Sequence, residues 1–143
     1  MYKKLLLPVD LGEREMAHRA IDAALALAKA DETQLRLLTV QQYVPLALTE
    51  YVPTDFDEQL RETTEKELSE LAATVEFPKD RVSTVLRVGA VYPEVLAEAE
   101  EWGADLIVVG SHRPSMATYL LGSNAKTIVR HAKCSVLVVR SQS

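Results

Sequence analysis

Cysteine is nearly missing from this chain. Cys134 stands alone, so no internal disulfide can form, and no cluster of metal ligands surrounds it. It lies just before the apolar run at residues 136–139 and reads as a small residue at a strand start. Long apolar runs are missing as well. Residues 106–109 and 136–139 are far shorter than the roughly 20 residues a membrane helix needs, so membrane insertion is not expected. The opening Met1-Tyr2-Lys3-Lys4 enters the apolar residues 5–7 and meets Asp10 too soon for a secretory signal, which makes the cytoplasm the expected compartment. There is no basic excess. The net charge of −5 argues against nucleic acid held on a broad basic face. Walker A, with its Gly-Lys-Ser/Thr, does not occur, and no dinucleotide fingerprint follows the first apolar run. Internal repeats, low-complexity stretches and linkers are also lacking, so the 143 residues read as one domain, 1–143.

What is present is an ordinary globular composition, 48% hydrophobic and 26% charged, arranged as strand and helix in turn. Residues 4–9 form a short apolar run that predicts the first strand. Residues 16–30 follow with Ala17, Ile21, Ala24 and Ala28 at helical spacing. The second strand is expected at 34–40. A charged helix is expected over 56–75, with Leu60, Leu68 and Leu71 facing inward. Residues 82–88 alternate and predict a partly exposed third strand. Pro93 suits the first position of a helix over 93–102, and Gly103 suits its stop. The fourth strand is expected at 105–109, a helix at 123–131 and the fifth strand at 135–140. Strands alternating with helices predict an α/β fold with a doubly wound parallel sheet, helices on both faces, and a ligand site outside the carboxyl ends of the strands. The connection over 41–54, with Tyr43, Pro45, Tyr51 and Pro53, is longer than such folds need. It reads either as a lid or partner surface or as an ordinary packed loop.

The segment most suggestive of chemistry runs from Gly110 through Ser111, His112, Arg113 and Pro114 to Gly122, Ser123, Asn124 and Ala125. It leaves one apolar strand and feeds one helix. Glycines at its two ends permit close backbone approach to a ligand. A helix opening near Ser123 would present free amides and partial positive charge, which suits phosphate. The hydroxyls of Ser111 and Ser123 add donors, and Arg113 adds a fixed cation. The plain alternatives are a turn at Gly110 and a helix cap at Ser123.

These residues resemble the universal stress protein family. Lys4-Leu5-Leu6-Leu7-Pro8-Val9-Asp10 is similar to that family's first strand, and Leu38-Thr39-Val40 to the end of its second. Gly103-Ala104-Asp105-Leu106-Ile107-Val108-Val109-Gly110-Ser111-His112 resembles its fourth strand and glycine turn. Leu120-Leu121-Gly122-Ser123 and Cys134-Ser135-Val136-Leu137-Val138-Val139 resemble its close. The family's nucleotide-binding branch carries glycine, two residues, glycine, nine residues, glycine, then serine or threonine. Here Gly110, Gly122 and Ser123 match, Arg113 replaces the middle glycine, and eight residues rather than nine separate it from Gly122. The Ser-His-Arg-Pro variant is similar to the F/G type of the family.

The resemblance implies a five-stranded parallel sheet of order 3-2-1-4-5, the adenine nucleotide alpha hydrolase-like fold. It also implies ATP or another adenine nucleotide as ligand, with Mg²⁺ at Asp10. Pro8, Val9 and Val40 would meet the base. Asp10 would meet the ribose or the metal, its alternative role being a cap for the next helix. Gly110, Ser111, His112 and Arg113 would line the ribose and phosphate path. Gly122, Ser123, Asn124 and Ala125 would donate to phosphates. No catalytic residue is assigned, and His112 has no acidic partner close in sequence. Lys126 and Arg130, one turn apart, read as a solvated helix face, and His18 and His131 as helix-surface residues. The wholly apolar run 136–139 at a sheet edge implies a homodimer through the fifth strand, or a tetramer. The function expected is a stress or signalling regulator with a regulatory protein partner. A nucleotide-free interaction module and a slow ATPase are the alternatives.

Overall fold

The computed structural model describes residues 2–42, 50–51, 54–111 and 118–140, without the side chains of 118–123. Among the described residues, nine main elements alternate: β1 (Lys4–Pro8), α1 (Arg14–Leu27), β2 (Gln34–Gln41), α2 (Phe56–Ala73), β3 (Val82–Val88), α3 (Val91–Trp102), β4 (Leu106–Ser111), α4 (Thr118–His131) and β5 (Ser135–Arg140). All strand pairs are parallel, and their order across the sheet is β3-β2-β1-β4-β5. The expected topology is therefore present.

Burial explains why the apolar runs become strands. Leu5, Leu6 and Leu7 are wholly buried, which is possible only where helices cover both faces of the central strand. Leu5 and Leu7 join Leu35, Leu37 and Val108 against Ala17, Ala20, Ile21 and Ala24 of α1 and Leu68 and Leu71 of α2. Leu6 joins Leu38, Ile107 and Val109 against Val95 and Ala99 of α3 and Ala125 and Ile128 of α4. The alanines of α1 let it lie close on the sheet. β1 and β4 are clasped at their starts by Asp105, whose carboxylate accepts from the amides of Lys3 at 2.8 Å and Lys4 at 3.0 Å.

Four expectations need correction. Leu60 is exposed, because the buried positions of α2, Leu68 and Leu71, are confined to its second half. Ala28 lies beyond the end of α1, extended and half-buried against the same core. Pro93 is the third residue of α3, not the first. The first turn of a helix has no internal acceptors for its amides, so a proline there forfeits nothing. Finally, α4 begins at Thr118, five residues before the expected start, and Gly122 sits inside it. A glycine within a helix costs only about 1 kcal/mol relative to alanine, too little to force a boundary.

α3 is fastened to the outer strands by charge. Arg36 of β2 donates to Glu98 Oε2 at 2.8 Å, and Arg87 of β3 donates to Glu94 at 2.8 Å, Glu98 at 2.9 Å and Glu101 at 2.9 Å. Glu98 is buried, so its two guanidinium partners are what make its burial tolerable. The hydrogen bond to Glu94, and those to Glu98 and Glu101, hold the Arg87 guanidinium even more firmly protonated than usual, against an opposing cost of burial. Arg36 also stacks over Trp102 at 4.5 Å.

Two glycines at the ends of α3 carry positive φ, Gly89 at 148° and Gly103 at 81°. A Cβ at Gly89 would stand 2.9 Å from Glu94 Oε2, whereas one at Gly103 would meet nothing within 4 Å. Gly89→Ala is therefore expected to cost about 3 kcal/mol, through both backbone strain and displacement of Glu94. Gly103→Ala should cost only about 1–2 kcal/mol, for strain alone. Urea unfolding midpoints of the two variants check the difference, and Gly103→Asn should recover part of the loss.

Candidate functional site

From β1 the chain moves outward in one direction, to β2 and β3, and then returns past β1 to β4 and β5. The reversal lies between β1 and β4. α1 leaves the end of β1 over one face, while α3 and α4 pack on the other. Connections diverging from neighbouring strands leave a crevice beyond their carboxyl ends. A cleft of about 250 Å³ occupies this place.

Its walls come from five separate stretches of the chain. Pro8 ends β1, and Val9 continues alongside β2, its amide donating to Leu38 O at 2.8 Å. Thr39 Oγ donates to Val9 O at 3.1 Å, which fixes the backbone leaving the strand. Asp10 then turns the chain: its Oδ1 accepts from the Gly12 amide at 2.9 Å, and its carbonyl accepts from the Glu13 amide at 2.9 Å. This is an Asx turn leading into α1. The cap position of α1 is Glu13, with no side-chain cap bond, so Asp10 prepares the helix without capping it. Apolar lining comes from Val9, Val40, Val91, Val95, Val109 and Ile128, and polar lining from Asp10, Glu13, Gln42 and Asn124.

Of the residues expected at a site, Pro8, Val9, Asp10, Val40, Gly110, Asn124 and Ala125 all line this one cleft. Ser111 does not. It is the last residue of β4, paired with Arg140. His112 and Arg113 lie outside the described residues. Gly122 and Ser123 lie in α4, in its second turn together with Asn124 and Ala125. The free helix-start amides expected at Ser123 are thus displaced to Thr118 and its neighbours. Lys126, Arg130, His18 and His131 are exposed, as expected of helix surface. Among the described residues, no group of three or more His, Cys, Asp or Glu could hold a metal by itself. Of the long connection, only Tyr51 among its aromatics is described, and it is 79% exposed.

Sequence reasoning missed Glu13, Met16, Gln42, Val91, Val95 and Ile128 as lining residues. Ile128 was within reach, since Asn124, Ala125 and Ile128 share one face of a helix. The α3 residues were not, because nothing in sequence places that helix beside the end of β1.

Gly110 packs closely against Met16. A Cβ there would stand 3.0 Å from Met16 Cε. Gly110→Ala is expected to be absorbed by a small shift of the flexible Met16 terminus. Gly110→Val should push Met16 aside and cost about 1–3 kcal/mol. Met16→Ala in the valine background should restore part of it, and a double-mutant cycle by urea unfolding would read the coupling.

Cys134 borders a second cavity of about 220 Å³ at the opposite end of the sheet, with Ala104, Ile107 and His131. Burial pushes its thiol pKa up, with the Asp105 charge adding to the effect. Cys134 should therefore react with iodoacetamide at neutral pH more slowly than a free cysteine. Its rate should climb only above the ordinary thiol value of about 8.5, a profile that alkylation followed by mass measurement would trace.

The fold defines a doubly wound α/β domain of the adenine nucleotide alpha hydrolase-like kind, with a cleft at its topological switch point. The model of the universal stress protein family matches residues 1–140, and the chain belongs to that family. It is 37% identical to universal stress protein G of Shigella flexneri over 142 residues, covering 98% of this chain and 100% of that one. A universal stress protein family protein from Burkholderia pseudomallei shares the fold, with TM-score 0.69, 27% identity, and coverage of 98% and 97% of the two chains. So does a universal stress protein solved in complex with cAMP, with TM-score 0.69, 24% identity and 99% of both chains. A family member from Arabidopsis thaliana, solved with AMP bound, aligns with TM-score 0.64 at 16% identity over 99% of this chain and 93% of that one.

Proposed function

We propose that this chain binds an adenine nucleotide in the cleft between β1 and β4, with ATP and Mg²⁺ as the physiological form, and acts as a nucleotide-responsive regulator. The observation that carries the reading is the cleft itself: an apolar interior with a few polar groups at its rim, at the switch point of a parallel sheet. The valines at 9, 40 and 109 suit the faces of a purine ring. Gln42 and Asn124 offer amide donors and acceptors for its edge or for the ribose. About 250 Å³ falls just below the usual range of ligand sites, roughly 300–1,000 Å³, so base and ribose would fill it and the phosphates would emerge at the rim. Gly110, Ser111, His112 and Arg113, with Gly122 and Ser123, are the residues we assign to that emerging path.

Mg²⁺ fits the donors at the rim. It is usually held by one or two carboxylates with the phosphates completing its shell, and Asp10 and Glu13 are carboxylates at the place where phosphates would emerge. When bound, Mg²⁺ would neutralise phosphate charge. The fold of this chain is also the one that carries AMP and cAMP in the two liganded family members, which supports the reading by analogy of fold.

Association belongs to the same proposal. β5 has β4 on one side only, and Val138 is 37% exposed on it. A parallel-sheet edge of this composition suits pairing with a second copy about a two-fold axis. Nucleotide binding that orders the rim near this strand could then be read by a protein partner.

Isothermal titration with ATP plus Mg²⁺ and with AMP tests the binding. Val40→Asp, which sets a carboxylate against the base, should weaken both ligands at least about tenfold; because Val40 also packs against the core, the unfolding midpoint should fall too, so binding is compared on protein shown by circular dichroism to be folded. Absence of any heat and of any rise in melting temperature at millimolar nucleotide would overturn the proposal.

A further inference from the structure

α1 turns one side toward the cleft, through Glu13, Met16, Ala17 and Ala20, at the three- and four-residue spacing of a single helix face. The two alanines fill little space, and Glu13 lies exposed at the cap position of the helix. Met16 is therefore the apolar bulk that α1 gives the cleft. It lies across the glycine of β4: a Cβ at Gly110 would stand 3.0 Å from Met16 Cε and 3.6 Å from Met16 Cβ. Both ends of the side chain flank that glycine, so the sulfur between them lies at the cleft wall. Met16 is only half-buried, so part of this side chain meets solvent.

A thioether suits this place only while it is reduced. Methionine is apolar and polarisable, and its sulfur packs favourably against an aromatic ring such as a purine. Its sulfoxide is polar and chiral. The sulfoxide oxygen calls for a hydrogen-bond donor, and the neighbours Ala17, Ala20 and Gly110 carry no side-chain donor. The oxygen would turn to water in the cleft, whose space of about 250 Å³ is what base and ribose would fill. We infer that Met16 is an oxidation site, and that oxygen on its sulfur lowers the affinity of the cleft for its ligand. The oxidant is a hydroperoxide. The Met16 sulfur attacks one peroxide oxygen, an S–O bond forms and the O–O bond breaks. The sulfur is oxidised and the peroxide reduced; the leaving hydroxide or alkoxide takes the proton from the transferred oxygen and departs as water or an alcohol. The inference rests on the nucleotide reading above and adds to it a state in which the ligand is refused. The other sulfur among the described residues, Cys134, borders the cavity at the opposite end of the sheet.

The test treats the full chain with hydrogen peroxide and locates the added oxygen by peptide mass spectrometry. Isothermal titration then compares adenosine and AMP affinity before and after, on protein shown by circular dichroism to be folded. Adenosine affinity should fall at least about threefold where Met16 is fully oxidised. Methionine sulfoxide reductases should restore it, and dithiothreitol alone should not. Met16→Leu, compared with itself before and after peroxide, should lose no affinity on treatment, which removes Met116 and Cys134 as the cause. Saturating AMP should slow the oxidation of Met16. Unchanged adenosine affinity with Met16 oxidised, an equal loss in treated Met16→Leu, AMP that binds without slowing the oxidation, or Met16 left reduced where free methionine is oxidised, would each overturn the inference and leave nucleotide binding standing. Failure of adenosine and AMP to bind the untreated protein would overturn the nucleotide reading and this inference with it.

Discussion

The pairing of β1 with β4 is the constraint on which the cleft depends. Leu5 sits beside Leu106 and Leu6 beside Ile107, joining parts of the chain about a hundred residues apart. Asp105 holds the two strands at their starts, where its carboxylate takes the amides of Lys3 and Lys4. The burial of Leu5, Leu6 and Leu7 on both faces then makes the position of β1 costly to change, because each buried leucine is worth about 1.5–3 kcal/mol. Once these strands are neighbours, the helices that follow them must diverge, and a gap opens beyond Val9 and Val109. The cleft is a consequence of winding order, and the side chains only decide what it accepts.

Charge performs two separate tasks in the molecule. Below the cleft, Arg36 and Arg87 bind the carboxylates of α3 and keep that helix against the edge of the sheet, so Val91 and Val95 reach the cleft wall. At the rim, Asp10 and Glu13 lie in an exposed turn. The first set is half-buried and paired, so it behaves as structure. The second is open to solvent. Arg87 lies near the cleft wall as well: it pairs in register with Val40, a lining residue, and grips Glu94, in the first turn of α3.

Much of this was legible from residue order. The continuous apolar runs of β1 and β4 and the alternation of β3 defined strands whose positions hold to within two residues. Gly103 ended α3 through its left-handed conformation, as its place after Trp102 implied. Val9, Asp10 and Val40, named from the family resemblance, and Gly110, named from its glycine turn, all line the cleft, which lies at the strand ends where parallel sheets leave a crevice. What was not legible depends on the third dimension. Leu60 has helical spacing from the core leucines, but it lies in the first half of α2, and the buried residues of that helix, Leu68 and Leu71, are in its second half. The start of α4 was placed at Ser123 on glycine chemistry, whereas the helix tolerates Gly122 in its interior. Met16, Val91 and Val95 enter the cleft from helices on opposite faces, and no local pattern records which helix end lies beside which strand.

Mapping the backbone amide resonances of isotope-labelled protein during an AMP titration tests the central claim most directly. The account predicts shifts concentrated on Val9, Asp10, Val40, Gly110, Asn124 and Ala125, with the resonances around Ala104, Ile107 and Cys134 unmoved. Shifts gathered instead at that opposite end of the sheet, or a spectrum indifferent to the nucleotide, would contradict it.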